Sequence, residues 1–530
     1  MDTKALRRKI LDLAIRGQLV PQDPADEPAS VLLDRIRAEK QKMVKEGKLK
    51  AKDIKNDSII FVGEDSLHYE KFADGNVKCI EDEIPFDLPE NWAWVRLQSF
   101  CTMSNGTAKR NGADGTHTTV LRLADLGEDD IFYSGTRSVI LTDEEIAKYS
   151  LSDGDILFIR VNGSKENVGK SYFFEGQPFP VAYCDHLIRC TPSTVLHGKL
   201  LSMFMRCGYV RQLIGERMVS AAGQNTISQP SLGTILLPIP PHHEQDRILQ
   251  KLTLAESFIE QLCEAKHELV KITERAKAKI LDLAIHGQLV PQDPADEPAS
   301  VLLDRIRKEK ENLIKQGKIK RDKKETIIFR GDDNSYYEKV GGEVQCIDNE
   351  IPFDIPETWA FVRLKHIGTV IGGGTPKTNV PSFWDGEIPW LTPADLSGHK
   401  EIYVSAGGRN IKREGLDSSS AQLMPAGAVL YSSRAPIGYV AISANPIATN
   451  QGFKSVVPYD FSMSEYLYYC LQARTPDIEQ RATGTTFKEI SGSAMAETII
   501  PLPPIAEQQR IVSCVQSYVE KLFVVEKQIN

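Results

Sequence analysis

The chain has 530 residues, of which 41% are hydrophobic and 26% charged, the balance of a soluble globular protein with room for roughly three or four domains. No apolar run of about 18 residues offers a membrane span, and nine cysteines without a C-x-x-C pair argue against a disulfide framework. The net charge of −8 speaks weakly against a nucleic-acid binder that is basic all over, but leaves local basic surface open.

Residues 1–40 read as helical, beginning with an amphipathic helix that lacks the apolar core and cleavage site of a signal peptide, so a cytoplasmic chain is expected. GQLVPQDPADEP then forms a turn, and a second helix follows with Val31, Leu32 and Ile36 on one face. Asp26 is placed to cap that helix, with Pro28 in its first turn. The segment from Lys9 to Arg37 returns at Lys279 to Arg307 with only Arg16 replaced, by His286. A repeat at an offset of about half the chain dictates two similar halves.

Residues 41–91 are a basic linker and hairpin. Lys40, Lys42, Lys45, Lys48, Lys50, Lys52 and Lys55 crowd its start, usually a solvated face and otherwise a contact for phosphates or a partner. EIPFDLPENWAWVRL (Glu83 to Leu97) is echoed by EIPFDIPETWAFVRL (Glu350 to Leu364), and PIPPHHEQDRI (Pro238 to Ile248) by PLPPIAEQQRI (Pro501 to Ile511). Between these echoes Gln98 to Leu237 and Lys365 to Ile500 share little sequence. The expected domains are therefore a first insert over 92–241 and a second over 359–504, carried on a duplicated frame. Within the first insert VNGSKENVGKS has five residues between Gly163 and Gly169 where a phosphate-binding loop needs four. Cys184, His186 and Cys190 alternate as one face of a strand, without the second ligand pair of a zinc site.

Residues 242–310 open with the longest predicted helix. Ile248, Leu252, Ala255, Ile259, Leu262, Leu269, Ala276, Ile280 and Leu283 keep alternate steps of four and three, a coiled-coil seam with Lys266 and Thr273 as polar breaks. One helix from His243 to Ile285 would span about 65 Å. His242 and His243 are expected to be exposed at its start, with Glu244 favouring the helix dipole. Asp296 and Pro298 repeat the capping arrangement. Residues 311–358 form a second basic linker and hairpin, in a stretch holding Lys308, Lys310, Lys315, Lys318, Lys320, Arg321, Lys323 and Lys324. In the second insert Gly372 to Gly374 hint at a cofactor loop, but no acidic residue stands at the right distance and no methyltransferase tetrad occurs. Residues 505–530 restart the seam through Ile511, Val515, Tyr518, Leu522, Val525 and Ile529, and Leu6, Ile10 and Leu13 continue it.

The fold class expected is α+β: two α/β inserts separated by two long antiparallel coiled-coil helices in a pseudo-twofold circular arrangement. The second spacer helix reads as cut in two, which predicts adjacent termini and a circular permutant, joined across Asn530 and Met1, that folds.

LPENWAWVRL and IPETWAFVRL, the PIPPHHEQDRIL and PLPPIAEQQRIV helix starts and the two-half layout resemble the specificity subunit of type I restriction-modification enzymes. So do IGGGTPKT, IPWLTPADL, LYSSRAPIG, ATNQGFK and GTTFKEIS in the second insert, and LRLADL, GDILFIRVNGS and GQNTISQ in the first. The resemblance implies a non-catalytic, cytoplasmic reader of double-stranded DNA in which each insert is a target recognition domain for one half of a bipartite site. It implies two methyltransferase subunits docked on the repeated helices, and restriction-translocase subunits held through the complex. No cofactor or metal is expected on this chain, and S-adenosylmethionine, ATP and Mg belong on the partners. The long lysine-rich stretches depart from compact members and have no assigned role.

Base edges are read by Arg, Lys, Asn and Gln, whereas phosphate contacts set register. The first insert's candidates are Lys109, Arg110 and Asn111; Arg160, Asn162, Ser164 and Lys165; and Gln224, Asn225 and Thr226. Those of the second are Thr375, Lys377 and Thr378; Ser432, Ser433 and Arg434; Asn450 and Gln451; and Thr485, Thr486 and Lys488. Arg160 corresponds to Arg434, and Gln224 to Thr226 to the stretch Thr485 to Lys488. Two other readings remain: a scaffold whose inserts bind protein or glycan, and a self-contained nuclease or methyltransferase.

Overall fold

A computed structural model describes residues 2–47, 50, 54–55, 57–193, 197–321, 325–484 and 488–529. Lys48, Lys52, Lys323, Lys324, Thr485 and Thr486 lie outside the described residues. The chain is α+β and divides into two compact units, Met1–Ala265 and Lys266–Asn530. No helix among the described residues is long and apolar enough to cross a membrane.

In the first unit helix α1 (Thr3–Ile15) ends where Gly17 takes φ +67°, a left-handed conformation that glycine adopts without strain. A Cβ there would also stand 2.5 Å from Cγ of Pro89. After the turn, helix α2 (Ala29–Lys45) starts at Pro28 with no side-chain cap. Asp26 instead receives Arg247 Nη2 at 2.5 Å, a pairing across 221 residues that short-range capping rules do not see. Lys40 is buried, its Nζ 2.6 Å from Asp57 Oδ2 and donating to the carbonyls of Gln98 and Ser99, so the basic run is not solvated throughout.

A three-stranded meander, Ser58–Val62, His68–Phe72 and Val77–Cys79, follows. Arg96 fastens it to the frame, reaching Glu70 at 2.8 Å and Glu83 at 2.8 Å from a buried position. The insert leaves through Ala93–Arg96 and returns through Leu236–Ile239, two strands paired antiparallel, so its two ends are tied together. Between them four strands are ordered Ser171–Phe173, Ile156–Ile159, Leu187–Pro192 and Cys101–Asn105. The last of the three alternating residues, Cys190, lies on this sheet beside Cys101, while Cys184 bridges to Thr107 and His186 lies in the turn before the strand. The expected single face is therefore not formed.

Helix α3 (His242–Ile285) matches the predicted length. Its first part runs antiparallel to α1: Cys263 is 3.5 Å from Thr3, and Ile248 and Leu252 share a core with Ala14 and Ile15. Glu244 is buried and accepts from Trp92 Nε1 at 3.0 Å and Gln22 Nε2 at 2.7 Å. Its carboxyl is pushed up by burial against those hydrogen bonds.

The second unit repeats this frame. Helix α4 (Ala299–Lys315) starts at Pro298, again uncapped, because Asp296 holds Arg510 at 2.5 Å. Lys310 is buried and sits over the Tyr459 ring at 5.9 Å. The meander Thr326–Arg330, Tyr336–Val340 and Glu343–Cys346 is fastened by Arg363, which reaches Glu338 at 2.6 Å and Glu350 at 3.0 Å. The second insert leaves and returns through Ala360–Arg363 and Ile499–Leu502. It holds a five-stranded sheet, ordered Gly368–Gly372, Lys454–Pro458, Val429–Ser433, Ile437–Ser443 and Tyr403–Val404, covered by helix α5 (Ser464–Gln480). Helix α6 (Ile505–Ile529) pairs antiparallel with the end of α3, through Lys277 to Glu526 at 2.7 Å and a shared core of Ala284, Ile285, Ile511, Val512 and Val515.

The seam departs from its expected phase in places. Tyr518 and Val525 are exposed, while Val519 packs on the core and Glu526 meets α3. Leu269 is exposed and Thr273 buried. An α-helix drifts by about 20° per heptad, so the buried stripe of α6 moves from Ile511 onto Val512, Val519 and Glu526.

Candidate nucleic-acid interface

In the first insert the strand Ile156–Ile159 delivers Arg160, and the next two residues, Val161–Asn162, enter a second small sheet with Gln224–Thr226 and Val219–Ala221. Asn225 pairs with Asn162 and Thr226 with Val161, so two clusters whose asparagines are 63 residues apart in sequence become neighbours. Asn225 is buried there: its amide donates to the Gly163 carbonyl at 2.9 Å and its oxygen accepts from Ser220 at 2.6 Å. Asn162 turns the loop by accepting the Ser164 N–H at 2.9 Å. These two asparagines hold the loop, and Ser164, Lys165 and Gln224 are left exposed on it, with Thr226 half-buried.

Asp185 brings the third cluster in. Arg110 donates to its carboxylate at 2.8 Å and Arg160 to its carbonyl at 3.2 Å. Burial would raise the Asp185 carboxyl, but the hydrogen bond and charge of Arg110 hold it below the ordinary aspartate value. Lys109 is 2.6 Å from Glu145, whose carboxyl it holds low, and Asn111 is exposed beside it. Sequence reasoning passed over both carboxylates. Their only signal is local: Asp185 sits inside YCDHLIRC, and Glu145 in a helix of unremarked polar residues. Partly exposed ion pairs of this kind contribute little to stability, so Arg110 and Lys109 can exchange a carboxylate for a phosphate or a base edge at small cost.

The second insert groups its residues differently. Gly373 lies so close to the Asn450 carbonyl that a Cβ would stand 1.9 Å from that oxygen, so close packing requires a glycine there. This contact places Thr375 against Gln451, hydroxyl to amide oxygen. Asn450 caps the turn by accepting the Gly452 N–H at 2.8 Å, and Lys377 and Thr378 are exposed on the loop. Ser432 and Ser433 are fully buried in strand Val429–Ser433. The Ser432 hydroxyl donates to the Pro436 carbonyl at 2.8 Å and accepts from the Tyr439 N–H at 2.7 Å, which fixes the loop carrying Arg434.

Glu489, also passed over, gathers two cations, Arg434 at 3.5 Å and Lys454 at 3.0 Å. Lys488 is exposed next to it. The Ile227 N–H donates to the Arg160 carbonyl at 3.0 Å and the Ile490 N–H to the Ser433 carbonyl at 3.1 Å, so the residue in the place of Arg160 is Ser433, and the expected match of Arg160 with Arg434 is off by one residue along the strand. Each insert thus presents a rigid strand edge bearing one arginine, with a polar loop strapped beside it. A scaffold of this kind can hold donors and acceptors against base edges while lysines meet phosphates.

Residues 356–530 match the family model described as the type I restriction modification DNA specificity domain. The chain is 44% identical over 178 residues to the type I restriction enzyme MjaIX specificity subunit of Methanocaldococcus jannaschii, covering 33% of this chain and 41% of that protein. It is 26% identical over 590 aligned positions to the EcoEI specificity subunit of Escherichia coli, covering 97% and 89% of the two chains. The EcoAI specificity subunit of Escherichia coli is 27% identical, with 96% and 88% covered. Among solved structures, a chain from a study of complex assembly and conformational transition of the type I R-M system shares the fold with a TM-score of 0.52 at 18% identity, covering 84% of this chain and 94% of that one. Over nearly its whole length the chain is thus similar to type I restriction enzyme specificity subunits, and its residues 356–530 match the model of their DNA specificity domain.

Proposed function

We propose that this chain is the DNA sequence-recognition subunit of a type I restriction-modification complex, itself non-catalytic. Each insert reads one half of a bipartite, asymmetric site. The helices set the unread gap between the halves and dock two methyltransferase subunits, which hold S-adenosylmethionine, while ATP and Mg belong to restriction-translocase subunits recruited through the complex. The chain thereby directs adenine methylation and restriction to its site, holding the complex so that the partner can flip the target base out of the duplex.

The observation that carries this reading is the contrast inside one chain. A frame repeated nearly residue for residue suits two copies of one partner, whereas two inserts with unlike polar edges suit two unlike half-sites. The site residues proposed are the exposed members of the clusters, Arg110, Asn111, Lys165, Gln224, Thr375, Lys377, Thr378, Gln451 and Lys488, together with the half-buried Lys109, Arg160 and Arg434. Ser164 and Thr226 flank them. Asn162, Asn225, Ser432, Ser433 and Asn450 act behind them as supports.

Methylome sequencing of cells carrying this chain with its partner genes tests the proposal. Methylated adenines in a split motif of two fixed halves and a constant gap are expected. A continuous motif, or none, would refute the reading. Binding is also expected to weaken steeply with salt, because each neutralised phosphate releases counterions.

A further inference from the structure

The frame is duplicated so closely that its mismatches carry information, and one mismatch is concentrated where the first insert meets α3. His242 and Asp246 are one helical turn apart and share a face of that helix. Their counterparts at the start of α6 are Ile505 and Gln509. His197 is the N-cap residue of the helix Gly198–Phe204, and the matching N-cap before α5 is Met463. In the second unit this junction is apolar: Met463 is fully buried, and Ile505 packs on the same core.

In the first unit the same junction is built from imidazoles and a carboxylate. His197 Nε2 lies 2.8 Å from Asp246 Oδ1. The His197 and His242 rings are parallel to within 3°, with centroids 5.6 Å apart. One ligand atom from each of the three residues falls within 4.8 Å of the others. His197 is anchored by its backbone N–H, which donates to Gln245 Oε1 at 3.3 Å. Its Nε2 is shielded from solvent yet makes no well-aligned hydrogen bond, despite the short approach to the carboxylate. Glu244 faces away, toward Trp92 and Gln22, and leaves the group to these three side chains.

We propose that His197, His242 and Asp246 form a binding site for a zinc-class divalent ion. Two imidazole nitrogens and one carboxylate oxygen suit zinc, cobalt or nickel and disfavour magnesium and calcium, which take oxygen ligands. Three protein ligands leave one tetrahedral position for water. Ligand atoms on such an ion lie roughly 3.3 Å apart, given metal–ligand bonds of about 2.0–2.1 Å, so small rotations of the two rings close the site. The Asp246 charge offsets the positive end of the helix, which on its own opposes a cation. A bound ion cross-links the helix Gly198–Phe204 of the insert to α3, doing in one unit what Met463 and Ile505 do by apolar contact in the other.

The test uses the full chain, stripped of metal, titrated with Zn²⁺ by calorimetry and with Co²⁺ by visible absorption. One equivalent with tetrahedral Co²⁺ bands and a Zn²⁺-dependent rise in Tm are expected. Loss of an outer-shell partner already weakens metal sites by about 10–100-fold, so His197→Gln, His242→Gln and Asp246→Asn should each weaken binding at least that much and abolish the Tm rise. A double Cys184→Ser, His186→Gln variant removes the other compact cluster, Cys184, Asp185 and His186, and should bind normally. The proposal is overturned if no stoichiometric binding occurs at micromolar Zn²⁺, if binding survives in the histidine variants, or if it vanishes in the Cys184, His186 variant. None of these readouts requires DNA or a partner subunit, so they stand apart from the recognition reading.

Discussion

The two units agree where they carry the repeat and differ where they carry the insert. Trp92 and Trp359 donate to Glu244 and Glu507 at 3.0 and 2.9 Å, and Gln22 and Gln292 meet the same carboxylates at 2.7 and 2.6 Å. The inserts hold a four-stranded and a five-stranded sheet, and their cations lean on different acids, Asp185 and Glu145 in one, Glu489 in the other. Closely matched geometry in a frame beside freely altered polar edges is what the proposed function requires of a frame that meets one kind of surface twice. In that proposal each edge meets its own half-site.

The sharpest way to break this comparison is to remove matched frame residues. Arg96→Ala and Arg363→Ala each strand a buried glutamate, and each should cost about 3–5 kcal/mol in denaturant unfolding of the full chain. The two losses should agree; a large difference would mean that the frames are not equivalent. Trp92→Phe and Trp359→Phe delete one hydrogen bond to a buried carboxylate, and the expected loss is about 1.5–3 kcal/mol for each.

At the inserts the symmetry should fail instead. Arg160→Ala should relax one half-site and Arg434→Ala the other, each weakening DNA binding by about 1–3 kcal/mol while shifting stability by no more than about 0.5 kcal/mol. Unchanged site selection in both variants would favour the scaffold reading, in which the inserts bind something other than DNA.

A smaller effect is a pH dependence of the meander's attachment. The Arg363 hydrogen bonds hold the Glu338 carboxyl below its ordinary value of 4.5, against burial, which raises it. A depressed acid adds stability that is present above its unfolded value and is lost as pH falls through the folded one. Stability should therefore fall below pH 4.5, and Glu338→Gln should flatten that part of the profile.

Much of the frame was legible in the sequence because it rests on local regularities. Heptad spacing marked α3 to within a residue, and Gly17 stops α1 by a conformation that belongs to glycine. The misreadings are contacts made across the chain. Asp26 looked like a helix cap because its near neighbours are visible in sequence, while Arg247 is not. Lys40 looked solvated because its partners Asp57, Gln98 and Ser99 arrive only on folding. Within the inserts, residue type located the polar clusters but could not separate Arg434 from Ser432 and Ser433, which lie on the same strand end and point into the core. The acids that hold the cations in place went unnoticed, since a lone aspartate or glutamate has no sequence signature.

Exchange of residues 92–237 for the corresponding insert of a similar specificity subunit, followed by methylome sequencing with the same partner genes, tests the central claim most directly. One half of the methylated motif should change, with the other half and the gap retained. If both halves changed, or neither did, the assignment of one half-site to each insert would be contradicted.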